Sequence, residues 1–324
     1  MASSSSIEAH WRSIAFGLVL EGDFDAPGLP ATEPVKPLRA EPTHLALVGP
    51  SELDADWPAD RAERLVAEHL GHGRPQRTID FDPVAGYRLY ARHFGLARVS
   101  ADGRSISCAP PPVTPWRWQR FLVGRVLPFT AAVRGVPMLH ASSAGIDGGA
   151  FAVLGSSGAG KTSVLVHAVL GGARFLCDDV VALEPSRGQL LAHPGSALAA
   201  VRRCEHARLD PASRRRLGAV LGRDEKVHVR VDRQTAPLPL RDVYWLVRAN
   251  RRRGVAIEAQ APDPQLLLGA TFISSVREPR RLLAQLEMTS ALARTVALHR
   301  VLVGRDTDAG AVAAAILADT GRRT

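Results

Sequence analysis

Eight residues constrain this chain more than any others: Gly155-Ser156-Ser157-Gly158-Ala159-Gly160-Lys161-Thr162 fits G-x-x-x-x-G-K-[ST] at every specified position. Such a loop does its work between a buried strand and a helix. Phe151-Ala152-Val153-Leu154 reads as the strand, and Ser163 to Leu170 carries apolar residues at helical spacing before stopping at Gly171-Gly172. In that setting the glycines let backbone N–H groups turn inward around phosphate oxygens, and the helix N-terminus adds partial positive charge. Lys161 is expected to reach the β- and γ-phosphates of a nucleoside triphosphate and the Thr162 hydroxyl to ligate Mg²⁺. Gly155, Ser156, Ser157, Gly158, Ala159, Gly160 and Ser163 complete the expected nucleotide-binding set.

A second signal follows the helix. Ala173 to Leu183 reads as one buried strand with Asp178 and Asp179 in its middle. Burying two charges in a strand is costly, so the pair is expected at an exposed end or facing a cation. In folds with such a loop, an acidic residue beside it holds the metal or its water. Two neighbours on a regular strand point opposite ways, which would divide them between metal and substrate. Upstream, His140 precedes Lys161 by twenty-one residues in a strand predicted over 136–146. A turn at Asp147-Gly148-Gly149 would fold that strand back beside the loop.

The rest of the chain sets bounds. At 324 residues it is long enough for one large domain and a smaller one, and 46% apolar with 23% charged residues is an ordinary globular balance. The net charge of +9 suits phosphates and acidic peptides. Yet only 5% of residues are aromatic and no basic run is interleaved with them, so no dedicated nucleic-acid partner is expected. Three dispersed cysteines, Cys108, Cys177 and Cys204, show no metal spacing and suit a reducing cytoplasm. The N-terminus does not read as a signal peptide but as a frayed end over 1–10, and no apolar run approaches the roughly 18 residues that cross a bilayer. No membrane partner is expected.

Residues 1–110 read as a small, mostly β region without a chemical motif, with a short amphipathic helix predicted over 60–70; Pro110-Pro111-Pro112 then marks a linker. A helix is predicted over 116–133 with a kink at Pro128, its Trp116, Trp118 and Phe121 serving as core. Further on, 211–221 reads as an arginine-rich helix and 226–231 as a strand with one cationic face, from which Lys226 or Arg230 could add a cation near the γ-phosphate. Strands over 240–247 and 255–261 are expected to pair across Arg251–Gly254, followed by helices over 279–298 and 308–318.

His140, the loop at 155–162 and Asp178-Asp179 together resemble the catalytic core of the HPr kinase/phosphorylase superfamily, with Thr162 where that family usually has Ser. The resemblance covers about residues 135–185. It implies an α/β fold: a P-loop HPr-kinase-like catalytic domain over 111–324 behind a smaller β-rich N-terminal domain over 1–110. It also implies ATP- and Mg²⁺-dependent transfer of the γ-phosphate to a serine, with Asp178 as the general base, Thr162 and Asp179 on the metal, and His140 orienting Asp178 or balancing its charge. The Arg-Gly-x-Gly signature of the HPr-directed enzymes is not found beyond the paired Asp. The chain is more similar to the divergent HPr-kinase-like proteins, some of which phosphorylate a serine of ribosomal precursor peptides, including lasso peptides. The expected partner is therefore a peptide or small-protein phosphoacceptor, and the superfamily's habit implies a homo-oligomer. A nucleotide-driven ATPase or switch without an acceptor, and a module that merely binds ATP, remain open as alternatives.

Overall fold

The computed structural model describes residues 11–31, 39–70, 74–112, 115–272 and 279–322; the frayed start expected over 1–10 lies outside them. The chain is mixed α/β and divides into two compact units, Met1–Arg134 and Gly135–Thr324. The boundary expected at 110/111 thus moves to the end of the helical segment.

The first unit is built on β1 (Trp11–Ala15), β2 (Leu18–Gly22), β3 (Arg39–Leu47), β4 (Glu63–Leu70), β5 (Arg74–Asp82), β6 (Gly86–Ala91), β7 (Gly95–Val99) and β8 (Ser105–Ala109). They form one sheet in the order β1-β2-β3-β8-β7-β6-β5-β4. The short helix α1 (Pro50–Ala55) precedes β4. The helix predicted over 60–70 is strand β4 instead. Its charges find cross-strand partners that outweigh local spacing: Arg64 lies opposite Asp80 and Glu68 opposite Arg77, each as an ion pair. The helical segment is α2 (Pro115–Phe121), a π-helical turn over Leu122–Val126, and α3 (Leu127–Val133). Pro128 sits in the first turn of α3, where its missing N–H is tolerated, and the irregularity falls on the turn before it. Trp116, Trp118 and Phe121 are buried, and Phe129 meets Tyr87 edge to face at 5.0 Å. This segment shares the core of the first unit, which is why the boundary follows it.

The second unit carries β9 (Met138–Leu139), β10 (Ser142–Ile146), β11 (Gly149–Leu154), α4 (Lys161–Leu170), β12 (Arg174–Cys177), β13 (Val181–Ser186), β14 (Gln189–His193) and β15 (Leu198–Arg202). Then come α5 (Arg203–Arg208), α6 (Pro211–Leu217), β16 (Ala219–Arg223), β17 (Lys226–Arg230), β18 (Leu238–Ala249), β19 (Val255–Ala259), α7 (Pro264–Gly269), α8 (Pro279–Thr295), β20 (Ala297–Gly304) and α9 (Ala309–Gly321). The main sheet runs β12-β10-β11-β18-β14-β13-β9, with β20 on β18 and β19 on β20. β15, β17 and β16 make a separate three-stranded sheet.

β11 is buried on both faces, which explains its unbroken apolar run. Phe151 and Val153 join a cluster with Val164 of α4 and Ile316 of α9, whereas Ala150, Ala152 and Leu154 join one with Met288 and Leu292 of α8. The alternation is the period-2 signature of a strand between two helical layers.

Four expectations change in this unit. The strand predicted over 173–183 breaks at the paired Asp, because Asp179 adopts a left-handed φ of 67°. β19 pairs with β20 and not with β18, which instead takes β20 in parallel. The helix predicted over 279–298 ends at Thr295, and β-branched Val296, Val301 and Val303 carry the chain into β20. The helix predicted over 211–221 likewise ends at Leu217.

Candidate active site around the glycine loop and Asp178

The loop between β11 and α4 turns on three glycines with positive φ: Gly155 (155°), Gly158 (79°) and Gly160 (103°). At Gly155 a side chain is opposed by the positive φ and by space, since a Cβ would stand 2.9 Å from that of Ala159. Gly160 caps α4 in the left-handed region, and the Val164 N–H closes the first helical turn on its carbonyl at 2.9 Å. Lys161, the first residue of α4, is buried and curls over its own loop: Nζ donates to the Gly155 carbonyl at 2.9 Å. Burial pulls the Lys161 pKa down, while Asp179 and Asp178 pull it up and Lys226 lowers it. These four charged groups therefore share one electrostatic neighbourhood.

Asp178 is the centre of the hydrogen bonding. It follows β12 at a bend, buried, while Asp179 beside it is exposed. The Asp178 Oδ1 accepts from Ser142 Oγ at 2.7 Å, from Thr162 Oγ1 at 3.0 Å and from the Asp179 N–H at 3.1 Å. Its Oδ2 accepts from the Ala200 N–H at 3.3 Å. Burial, helped by the neighbouring Asp179 charge, pushes the Asp178 pKa up to about 6, against the pull of the Ser142, Ala200 and Thr162 hydrogen bonds. The two carboxylates do face different surroundings, but through a bend and not through strand alternation.

The other predicted residues fall as follows. Thr162 is bonded to Asp178, not to Asp179 as the expected metal pairing would suggest. The Ser163 hydroxyl turns away from the loop and donates to Glu205 of α5, so its side chain does not belong with the loop's other polar groups. His140 is exposed in the break between β9 and β10, its backbone N–H bonded to the Ala270 carbonyl at 2.7 Å. The hydroxyl that reaches Asp178 is Ser142, two residues further on. Lys226 and Arg230 lie at opposite ends of β17, opposite Arg202 and Leu198 respectively, and Lys226 is the one whose charge bears on Lys161.

Sequence reasoning missed Ser142, Ala200 and Arg202. Arg202 Nη2 donates to the Gly158 carbonyl at 3.3 Å, placing a second cation at the tip of the loop. Its only signal in the sequence is membership of an arginine-rich stretch. Ala200 contributes a backbone N–H, which no residue type announces.

The donor set suits a hard divalent cation. A hydroxyl can give its proton to Asp178 and keep lone pairs for a metal, and Asp179 offers an exposed carboxylate; magnesium takes one or two such carboxylates and fills its shell with phosphate oxygens and water. Among the described residues no three His, Cys, Asp or Glu side chains gather as a ready-made cage, so phosphate and water would complete that shell.

No family model matches this chain, and no curated relative matches it either. Among solved structures it has a distant neighbour in the Hpr(Ser) kinase/phosphatase from Coxiella burnetii, at 15% identity and a TM-score of 0.26, over 48% of this chain and 97% of that one. At that score the likeness is remote, and the site stands on its own geometry.

Proposed function

We propose that this chain is an ATP- and Mg²⁺-dependent kinase that transfers the γ-phosphate to a serine hydroxyl of a peptide or small protein, such as a ribosomal precursor peptide of the lasso type. The observation that carries the reading is Asp178: a buried carboxylate raised to about 6, hydrogen-bonded to the hydroxyl that follows the loop lysine.

Phosphoryl transfer asks for alignment and charge neutralisation more than covalent chemistry. The N–H groups of the loop and Lys161 hold the β- and γ-phosphates, and Arg202 and Lys226 add cations on the side of Asp178. Magnesium, held by Asp179 and Thr162, would neutralise charge on the phosphate oxygens. The acceptor serine approaches Asp178, which takes the hydroxyl proton as the new O–P bond forms and the bond to ADP breaks. Phosphoserine and ADP leave, and Asp178 returns its proton to solvent. A base that titrates near the working pH combines a useful ionised fraction with proton affinity. Ser142 and Ala200 keep the Asp178 carboxylate oriented, and His140, exposed two residues before Ser142, is the candidate to balance its charge.

The test is mass spectrometry after incubation with ATP, Mg²⁺ and candidate peptides. A phosphate gained on serine, and lost in Lys161→Ala, is the expected result. Free phosphate without acceptor modification would favour an ATPase instead, and no turnover of ATP at all would sink both.

A further inference from the structure

The loop has two flanks. On one side of β11 stand β10 and β12, which bring Ser142 and Asp178; on the other stand β18 and then β20, both parallel to it or to each other. On this second flank lies a cavity of about 230 Å³. Its walls include Ser156 and Ala159 of the loop, Trp245, Val247 and Arg248 near the carboxyl end of β18, and Val303 of β20. Leu154 lies beside Trp245 in register, and Arg248 beside Val303, so loop and cavity sit at the same end of three parallel strands. Ligands of open α/β sheets collect at that end.

We propose that this cavity receives the nucleobase, so that the bound triphosphate lies across the loop with its γ end toward Asp178 and its base against Trp245. The inference rests on the nucleotide reading above and adds a direction and a subsite to it. The lining is mostly apolar with one indole, one hydroxyl and one guanidinium, which matches a flat ring with apolar faces and a polar edge. The volume is below the ~300–1,000 Å³ of pockets that enclose whole ligands, so it suits a ring and not an entire nucleotide. A phosphate group gains nothing from apolar walls. The acceptor hydroxyl must meet Asp178, which lies on the other flank.

Comparing ATP with inorganic tripolyphosphate separates the base from the phosphates. Both are titrated, with Mg²⁺, into the full chain and into Trp245→Ala, Val303→Phe and Lys161→Ala, with melting curves to show that each variant is folded. Trp245→Ala and Val303→Phe should weaken ATP by about ten- to a hundredfold, the range of base stacking on an aromatic ring, and leave tripolyphosphate within twofold. Lys161→Ala should weaken both ligands. Unchanged ATP affinity in a folded Val303→Phe, or equal loss of ATP and tripolyphosphate there, overturns the base subsite while the nucleotide reading stands. If the unaltered chain binds neither ligand, the nucleotide reading itself falls.

Discussion

Each unit of this protein buries carboxylates, and treats them oppositely. In the first unit Asp82 is buried at the turn between β5 and β6, where it accepts from the Val84 and Ala85 N–H groups at 2.9 and 2.7 Å and from Arg61 Nε at 2.8 Å. The Ala85 hydrogen bond, together with Arg61 and Val84, holds its pKa below the usual carboxylate value of 3.8. Asp178 in the second unit is also buried, but its partners are two hydroxyls and two backbone amides, and its pKa rises to about 6. Two backbone amides and a guanidinium settle the Asp82 charge; at Asp178 burial and the neighbouring Asp179 outweigh the hydrogen bonds that favour the ion. The first arrangement builds a turn. The second keeps a carboxylate able to take up a proton near neutral pH.

The sharpest break in this comparison is Asp178→Asn. Loss of a positioned base is worth on the order of a hundred- to ten-thousandfold, and peptide phosphorylation should fall by that much while ATP affinity, by titration calorimetry, stays within a few fold. The pH profile carries the same contrast. Phosphorylation by the unaltered chain should rise as pH passes through about 6, where Asp178 ionises. Its folded pKa lies above the unfolded value, so the stability it contributes is fully present below about 4 and is lost as pH climbs through about 6. Asp82, with its pKa depressed, contributes stability above 3.8 that is lost as pH falls further. Thermal melts across pH 3 to 8 should show both limbs, and the upper one should vanish in Asp178→Asn.

A smaller effect is expected from Ser142→Ala. Removing one hydrogen bond of about 1 kcal/mol, roughly fivefold, lets the Asp178 pKa rise. The acid limb of kcat/KM should move to higher pH, with the rate above pH 8 nearly unchanged and Ser142→Thr restoring the profile. Asp82→Asn should have the smallest effect on the site. It should lower the melting temperature by several degrees and leave phosphorylation and ATP affinity alone; a fall in either would end the contrast drawn between the two carboxylates.

The sequence makes the loop, α4, the paired Asp and the β character of the first region legible because each is local: glycines at fixed spacing, apolar period, adjacent charges. What it conceals is long-range. Strand β4 has helical spacing, and only its cross-strand charge partners reveal it. β20 begins in the last two residues of a predicted helix and runs on where none is predicted, because a short run of β-branched residues carries no signal of which neighbours it will find. Ser142 is one serine among many until β10 sets it against Asp178 across thirty-six residues. Arg202 reaches Gly158 only because β15 ends beside the loop. The amide of Ala200 has no letter in the sequence at all. In physical terms, the residues of the glycine loop are announced by their own backbone needs, whereas those that hold Asp178 are chosen by tertiary pairing.

The curl of Lys161 onto the Gly155 carbonyl has one more consequence. Under the proposed nucleotide binding, an arriving phosphate would draw the ammonium away from a contact it already has, so its affinity would be a difference between two bonds made by one cation. An anion of low charge gains little more than it displaces, whereas a polyphosphate gains much more. A loop that binds triphosphate as proposed would thereby discriminate by charge: the same lysine would refuse weak anions and hold strong ones.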